Sequence, residues 1–209
     1  MQKSILALIS LLLFSACSEQ TPKQQSNTKD AIPENEISIK TENTAAKGIF
    51  AYDYKVRNLK NGLRIVVVPT DFPDVVALHI PVQTGSRNEI EEGKSGFAHF
   101  FEHMMFKGTE KFPVEKSSAI LKNAGGDQNA YTTDDYTNYH ITFLKDDLEQ
   151  ILEIEADRFQ NLKYTEDEFR TEALAVKGEY LKNSSSPVRK WLEFIRDNAY
   201  NTHTYKHTT

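Results

Sequence analysis

The ten residues from Phe97 to Phe106 are apolar at every position but three, and those three are His99, Glu102 and His103. A segment this apolar belongs against a core. Polar groups taken out of water without partners cost several kcal/mol each, so the three ionisable side chains need partners inside the fold. On a helix, residues four apart lie one above the other on a single face. His99 and His103 can therefore grip one ion from adjacent turns. Glu102 falls at the edge of that face, where it can reach a water beside the ion without being a ligand. Two imidazoles suit Zn²⁺, and a catalytic zinc usually takes three protein ligands and keeps one position for water. Zinc lowers the pKa of that water to about 7, and a carboxylate base can deliver it to a peptide carbonyl. The same residues also read as two satisfied core histidines beside a surface glutamate; the apolar setting favours the metal.

A two-histidine site needs a third anchor. Thr165 to Asn183 reads as a helix: Thr165 and Glu168 fit a capping box, and Phe169, Ala173, Val176 and Tyr180 form an apolar stripe at helical spacing. Seven residues return to nearly the same angle, so Glu172 and Glu179 share a face bordering that stripe. Gly178 would permit close approach of another backbone. From periodicity alone, each glutamate is either solvated or a ligand. Between the two helices, Gly125-Gly126 reads as a flexible pair. Thr/Tyr-rich sequence follows, and Tyr139 to Phe143 alternates as a strand does. This is a strand pair beside the metal helix, with His140 a strand histidine.

The motif H-x-x-E-H is the inverted-zincin pattern, and the resemblance extends beyond it. Gly93-Lys94-Ser95-Gly96-Phe97-Ala98-His99-Phe100-Phe101-Glu102-His103-Met104-Met105-Phe106-Lys107-Gly108-Thr109 resembles the active-site helix of the pitrilysin/insulinase family of zinc metallopeptidases, in its bacterial, processing-peptidase-like branch. The resemblance covers roughly residues 50 to 209. It implies that Glu179 is the third zinc ligand, that Glu172 is an accessory carboxylate tuning the metal, and that each domain holds one Zn²⁺. It also implies that the strand carrying Asn129 and Ala130 binds extended substrate by edge pairing; an ordinary structural hairpin is the equal alternative. A homologous second half, in the same chain or a partner subunit, would close the cleft. The implied activity is endopeptidase cleavage of peptides or unfolded segments. The alternatives are a non-catalytic peptide-binding subunit and an inactive fragment lacking its second half.

The first residues set a compartment. Met1-Gln2-Lys3 is a positive start, and Ile5 to Phe14 is an apolar core too short for a bilayer, which needs about twenty residues. This fits a signal peptide over residues 1–16. Ser15 and Ala16 precede Cys17, the only cysteine, an arrangement that resembles a bacterial lipoprotein signal; Phe14 departs from the usual aliphatic residue. Acyl chains on Cys17, at about 0.8 kcal/mol per buried methylene, would anchor the protein to a membrane. Ser18 resembles the sorting signal for the outer membrane of two-membrane bacteria, facing the periplasm. Residues 17–48 are polar and read as a disordered tether, with an end-to-end distance of about 30 Å.

Residues 1–16 carry Lys3 and no acid. Their removal leaves 24 basic against 30 acidic residues, a net charge of −6. No basic patch points to nucleic acid. Residues 49–209 are enough for one domain with a real core. Two strands flank Lys60-Asn61-Gly62, a hairpin signal, and Val75 to Val82 reads as a third strand. Helices are expected near Gly96 to Phe106, after Pro113, over Asp146 to Leu162, at the Glu172/Glu179 segment, and from Val188 to about Tyr200. Strand runs followed by helix runs argue an α+β fold, helices packed on one face of an antiparallel sheet. The segment His203 to Thr209 has no stop-like character and reads as a domain cut short at its C-terminus. His203 and His207 have metal-like spacing, which a flexible tail explains more simply.

Overall fold

The computed structural model describes residues 52–91 and 93–207. The signal-like segment, Cys17 and the polar tether lie outside the described residues. The chain divides into two compact units, Met1–Pro69 and Thr70–Thr209.

In the first unit, β1 (Lys55–Asn58) and β2 (Arg64–Val67) form an antiparallel hairpin with Asn58 opposite Arg64. The turn is the expected one. The Leu59 N–H donates to the Leu63 carbonyl at 2.8 Å, and Asn61 Oδ1 accepts from the Leu63 N–H at 3.1 Å.

The second unit is built on a three-stranded antiparallel sheet in the order β3-β5-β4. β3 (Val75–Val82) pairs along its whole length with β5 (Thr137–Leu144), and β4 (Asp127–Thr132) pairs with the other side of β5. Strand alternation sends Val76, Leu78, Ile141 and Phe143 to one face. There Leu121 and Ala124 of the α2 region (helix Val114–Asn123) and Ile151 of α3 (Leu148–Asn161) complete the core. α1 (Phe97–Met104), α4 (Glu166–Ser184) and α5 (Pro187–Ala199) are the remaining α-helices among the described residues. The α+β architecture is thus as expected, and each element lies within a few residues of its sequence-read position.

Three local readings change. The helix after Pro113 ends before Gly125-Gly126 as expected, but the pair is a fixed stop rather than a flexible joint. Gly125, at φ +62°, donates its N–H to the Lys122 carbonyl at 3.2 Å and Gly126 donates to the Leu121 carbonyl at 2.7 Å. These are the two bonds of a Schellman ending, which needs a residue in the left-handed region. Gly178 has open space where a Cβ would sit, so no backbone approaches it. The stripe on α4 is also offset: Phe169 and Val176 are half-buried, while Ala173 and Tyr180 are exposed. The partly covered line runs through Phe169, Glu172 and Val176, because that face meets α1. Phe169 stacks edge-on against Phe100 at 4.7 Å between ring centres.

Residues 203–207 are held rather than loose. Thr204 Oγ1 donates to the Arg87 carbonyl at 2.6 Å, Tyr205 Oη to Asp135 at 2.6 Å, and His207 Nε2 to the Glu89 carbonyl at 2.9 Å. His203 Nδ1 accepts from the Tyr205 N–H at 3.1 Å, and neither His203 nor His207 joins a group of potential metal ligands among the described residues.

Candidate metal centre

α1 starts at Gly96, which has no side chain to satisfy the first backbone amides. Glu89 satisfies them from the preceding loop: its two carboxylate oxygens accept from the N–H groups of Gly96 (2.6 Å) and Ala98 (2.7 Å). A carboxylate there also complements the positive end of the helix. The loop carrying Glu89 is fastened to the β4–β5 turn. Gly85 lies against that turn so closely that a Cβ would meet the Thr133 carbonyl oxygen at 2.4 Å. Ser86 and Arg196 both bond Asp134, and Arg87 pairs with Asp135. Arg196 holds the Asp134 carboxyl below its usual range.

From α1 so anchored, His99 and His103 project on adjacent turns, with ring centres 4.9 Å apart. Their Nε2 atoms converge to 3.2 Å. Glu179 on α4 completes the group: one carboxylate oxygen is 3.5 Å from His99 Nε2, and the other is 3.9 Å from His103 Nε2. One ligand atom from each of the three residues lies within 4.8 Å of the others. Two ligands of a tetrahedral zinc, each about 2.0–2.2 Å from the ion, sit roughly 3.3 Å apart. The spacing and the N/N/O donor set fit that ion.

Glu172 binds the other side of His103. One of its oxygens is 3.1 Å from His103 Nδ1 and the other accepts from the Lys107 ammonium. The carboxylate is an acceptor, so His103 carries its proton on Nδ1 and leaves Nε2 free as a ligand. Lys107, then burial in opposition, then His103 set the Glu172 carboxyl, with a net lowering.

Glu102 is not in the three-residue group. It is 8% exposed, and one oxygen accepts from Thr132 Oγ1 on β4. Asn129 is exposed on β4, where its Oδ1 accepts from the Ala130 N–H at 2.9 Å; Ala130 is half-buried. His140 stands opposite His79 across the β3–β5 pair, rings stacked at 5.7 Å, and is not a member of the three-residue group.

A family model described as insulinase (peptidase family M16) matches residues 64–209. The chain belongs to this family. Among M16 relatives, the zinc protease PqqE of Helicobacter pylori is 36% identical over 152 residues, 72% of this chain and 34% of that protein. The mitochondrial-processing peptidase subunit beta of Dictyostelium discoideum is 36% identical over 111 residues, 53% of this chain and 23% of the relative. The crystal structure of a protease from Helicobacter pylori superposes with a TM-score of 0.71 at 34% identity, covering 76% of this chain and 38% of that one. The chain therefore spans about a third of the length of the zinc protease it matches.

Four residues escape sequence reading: Glu89, Lys107 and Thr132, which bond α1 or its partners, and Arg158 on α3. Glu89 caps across a loop of irregular sequence, and no periodicity marks it. Arg158 is buried on α3, paired with Glu155 and ringed by Phe106, Tyr139 and Phe159 at 5.1–5.9 Å. Burial pushes the Glu155 carboxyl up against the opposing pull of Arg158, and pushes the Tyr139 phenol up to about 12. Gln128 of β4 donates to Glu155 at 3.3 Å, so this pair links α3 to the sheet and, through Phe106, to the turn after α1. The available signal was alternation on β4, where Gln128 and Thr132 fall on the inward-facing set.

Proposed function

We propose that the protein carrying this chain is a zinc-dependent endopeptidase acting on peptides or unfolded polypeptide segments. The observation that carries this is the meeting of His99 Nε2, His103 Nε2 and the Glu179 carboxylate from two separate helices, with Glu102 on the same helix as the histidines. The family and the names of its relatives support zinc as the metal.

His99, His103 and Glu179 are the ligands in this reading. A zinc ion there would supply Lewis acidity, acidifying a water and polarising the scissile carbonyl. Glu102 takes the proton from the attacking water and returns it to the leaving amine as the C–N bond breaks. Glu172, with Lys107 behind it, keeps the His103 ring turned so that Nε2 faces the ion. β4, at one edge of the β3-β5-β4 sheet, receives the peptide as an added strand, with Asn129 and Ala130 at the point of contact. A homologous second half, in the same chain or in a partner, closes over the peptide. The N-terminal sequence supports export, with acylation at Cys17 holding the enzyme on the outer membrane by residues 17–48.

Metal content and cleavage of an unstructured peptide by the complete protein test the reading. One zinc per centre, with Glu102→Gln retaining metal and losing turnover, is the expected result. Peptide binding without cleavage in the zinc-loaded complete protein would favour a non-catalytic binding subunit. Undiminished turnover in Glu102→Gln would refute the role of that carboxylate.

A further inference from the structure

We infer that Thr132 is a positioning residue for Glu102; this rests on the peptidase reading above. Register places Thr132 directly opposite Thr137 at the closed end of the β4–β5 hairpin. Opposed residues on antiparallel strands point to the same face, and Thr–Thr pairs there come within hydrogen-bond reach. Both hydroxyls turn inward, their oxygens 3.2 Å apart, with Thr137 4% exposed.

Each threonine hydroxyl has a single proton to donate. Thr137 commits its proton to the Thr84 carbonyl at 3.0 Å. Thr132 is left with two acceptors in reach, Thr137 Oγ1 and the Glu102 carboxylate. A bond to an ionised carboxylate is roughly twice as strong as one between neutral groups, so the Thr132 proton goes to Glu102. With both protons so committed, Thr137 borders the Thr132 hydroxyl without bonding it, and the support for the carboxylate that moves protons in the proposed reaction is the single bond from Thr132.

The support has a functional consequence beyond rigidity. Glu102 stands on α1 but is steadied from β4, the strand proposed to take the peptide. Peptide and base are therefore registered against the same stretch of backbone. A carboxylate with one oxygen tied to Thr132 presents the other toward the attacking water in a fixed direction. Such orientation acts on the chemical step rather than on peptide binding.

The test compares wild type, Thr132→Val and Thr132→Ser in the complete protein. Valine keeps the shape and strand preference of threonine but has no hydroxyl, whereas serine restores it. In Thr132→Val, kcat falls about 10- to 100-fold, the usual cost of losing a supporting hydrogen bond at a metal site; KM and zinc content do not change. Thr132→Ser recovers most of the loss. Independently of turnover, crystal structures of the metal-free proteins show the Glu102 carboxylate displaced in Thr132→Val and in place in Thr132→Ser. An unmoved carboxylate, an unchanged kcat, or a loss confined to KM would each overturn the assignment. Failure of the peptidase reading shows separately, as a Glu102→Gln variant with full turnover, and leaves the crystallographic comparison to decide the role of Thr132.

Discussion

Glu172 offers a quantitative test of how the site is held. It makes two contacts, one to His103 Nδ1 at 3.1 Å and one to the Lys107 ammonium. The side chains are 17% and 22% exposed for Glu172 and Lys107, so solvent screens the contacts only in part. Supporting partners of metal-binding histidines contribute about 10- to 100-fold in metal affinity, or about 1.4–2.8 kcal/mol. Glu172→Ala removes both contacts and frees the His103 ring, so its zinc affinity should fall by about 100-fold. Glu172→Gln keeps one oxygen for the His103 N–H but loses the charge and turns an amide NH₂ toward Lys107. Its loss should be nearer tenfold. Competition against a chromophoric chelator at neutral pH measures both values. Two variants that bind zinc within twofold of wild type would show that His103 needs no support from α4, and the account of its orientation would be wrong.

Three further outcomes follow from other contacts. Glu89→Ala leaves the first amides of α1 uncapped, which should cost about 1–2 kcal/mol of stability and weaken zinc binding with it; denaturant unfolding and the chelator titration read the two effects. Arg158→Met strands the Glu155 carboxylate, 2% exposed, and should cost about 3–5 kcal/mol, while the double change Glu155→Leu/Arg158→Met recovers most of it; equal losses in single and double variants would show that the charge pair is not the cause. Asp134 has a lowered folded pKa, caused first by Arg196. Its stabilising contribution is therefore complete above the usual value of 3.8 and is lost as pH falls through the lower folded value. Arg196→Met should flatten that part of the acid-unfolding curve, and an unchanged acid limb would argue against the pair.

Much of this was legible in the chain because local signals and tertiary demands agree. The capping box at Thr165 and Glu168 forms as read, with the Thr165 N–H donating to Glu168 at 2.7 Å and the Glu168 N–H donating to Thr165 Oγ1 at 3.2 Å. Asn61-Gly62 turns the first hairpin, and Val75–Val82 is a strand over the full span expected. The i, i+4 spacing of His99 and His103 alone places two imidazoles together. What stayed hidden depends on contacts far apart in sequence. Glu179 meets the histidines only because α4 packs against α1, and periodicity could not choose between that and a solvated face. The stripe on α4 was misaligned for the same reason, since the partner helix selects Phe169, Glu172 and Val176. The supports at Glu89 and Thr132 come from a loop and a strand whose relation to α1 no local pattern encodes.

The peptidase reading requires one ion held jointly by α1 and α4. X-ray absorption at the zinc edge, on the complete protein loaded with one equivalent of zinc, reads that coordination. Two imidazole nitrogens and a carboxylate oxygen are expected in the first coordination sphere, with the carboxylate contribution lost in Glu179→Ala. A spectrum without paired imidazoles, or one that Glu179→Ala leaves unchanged, would contradict the reading.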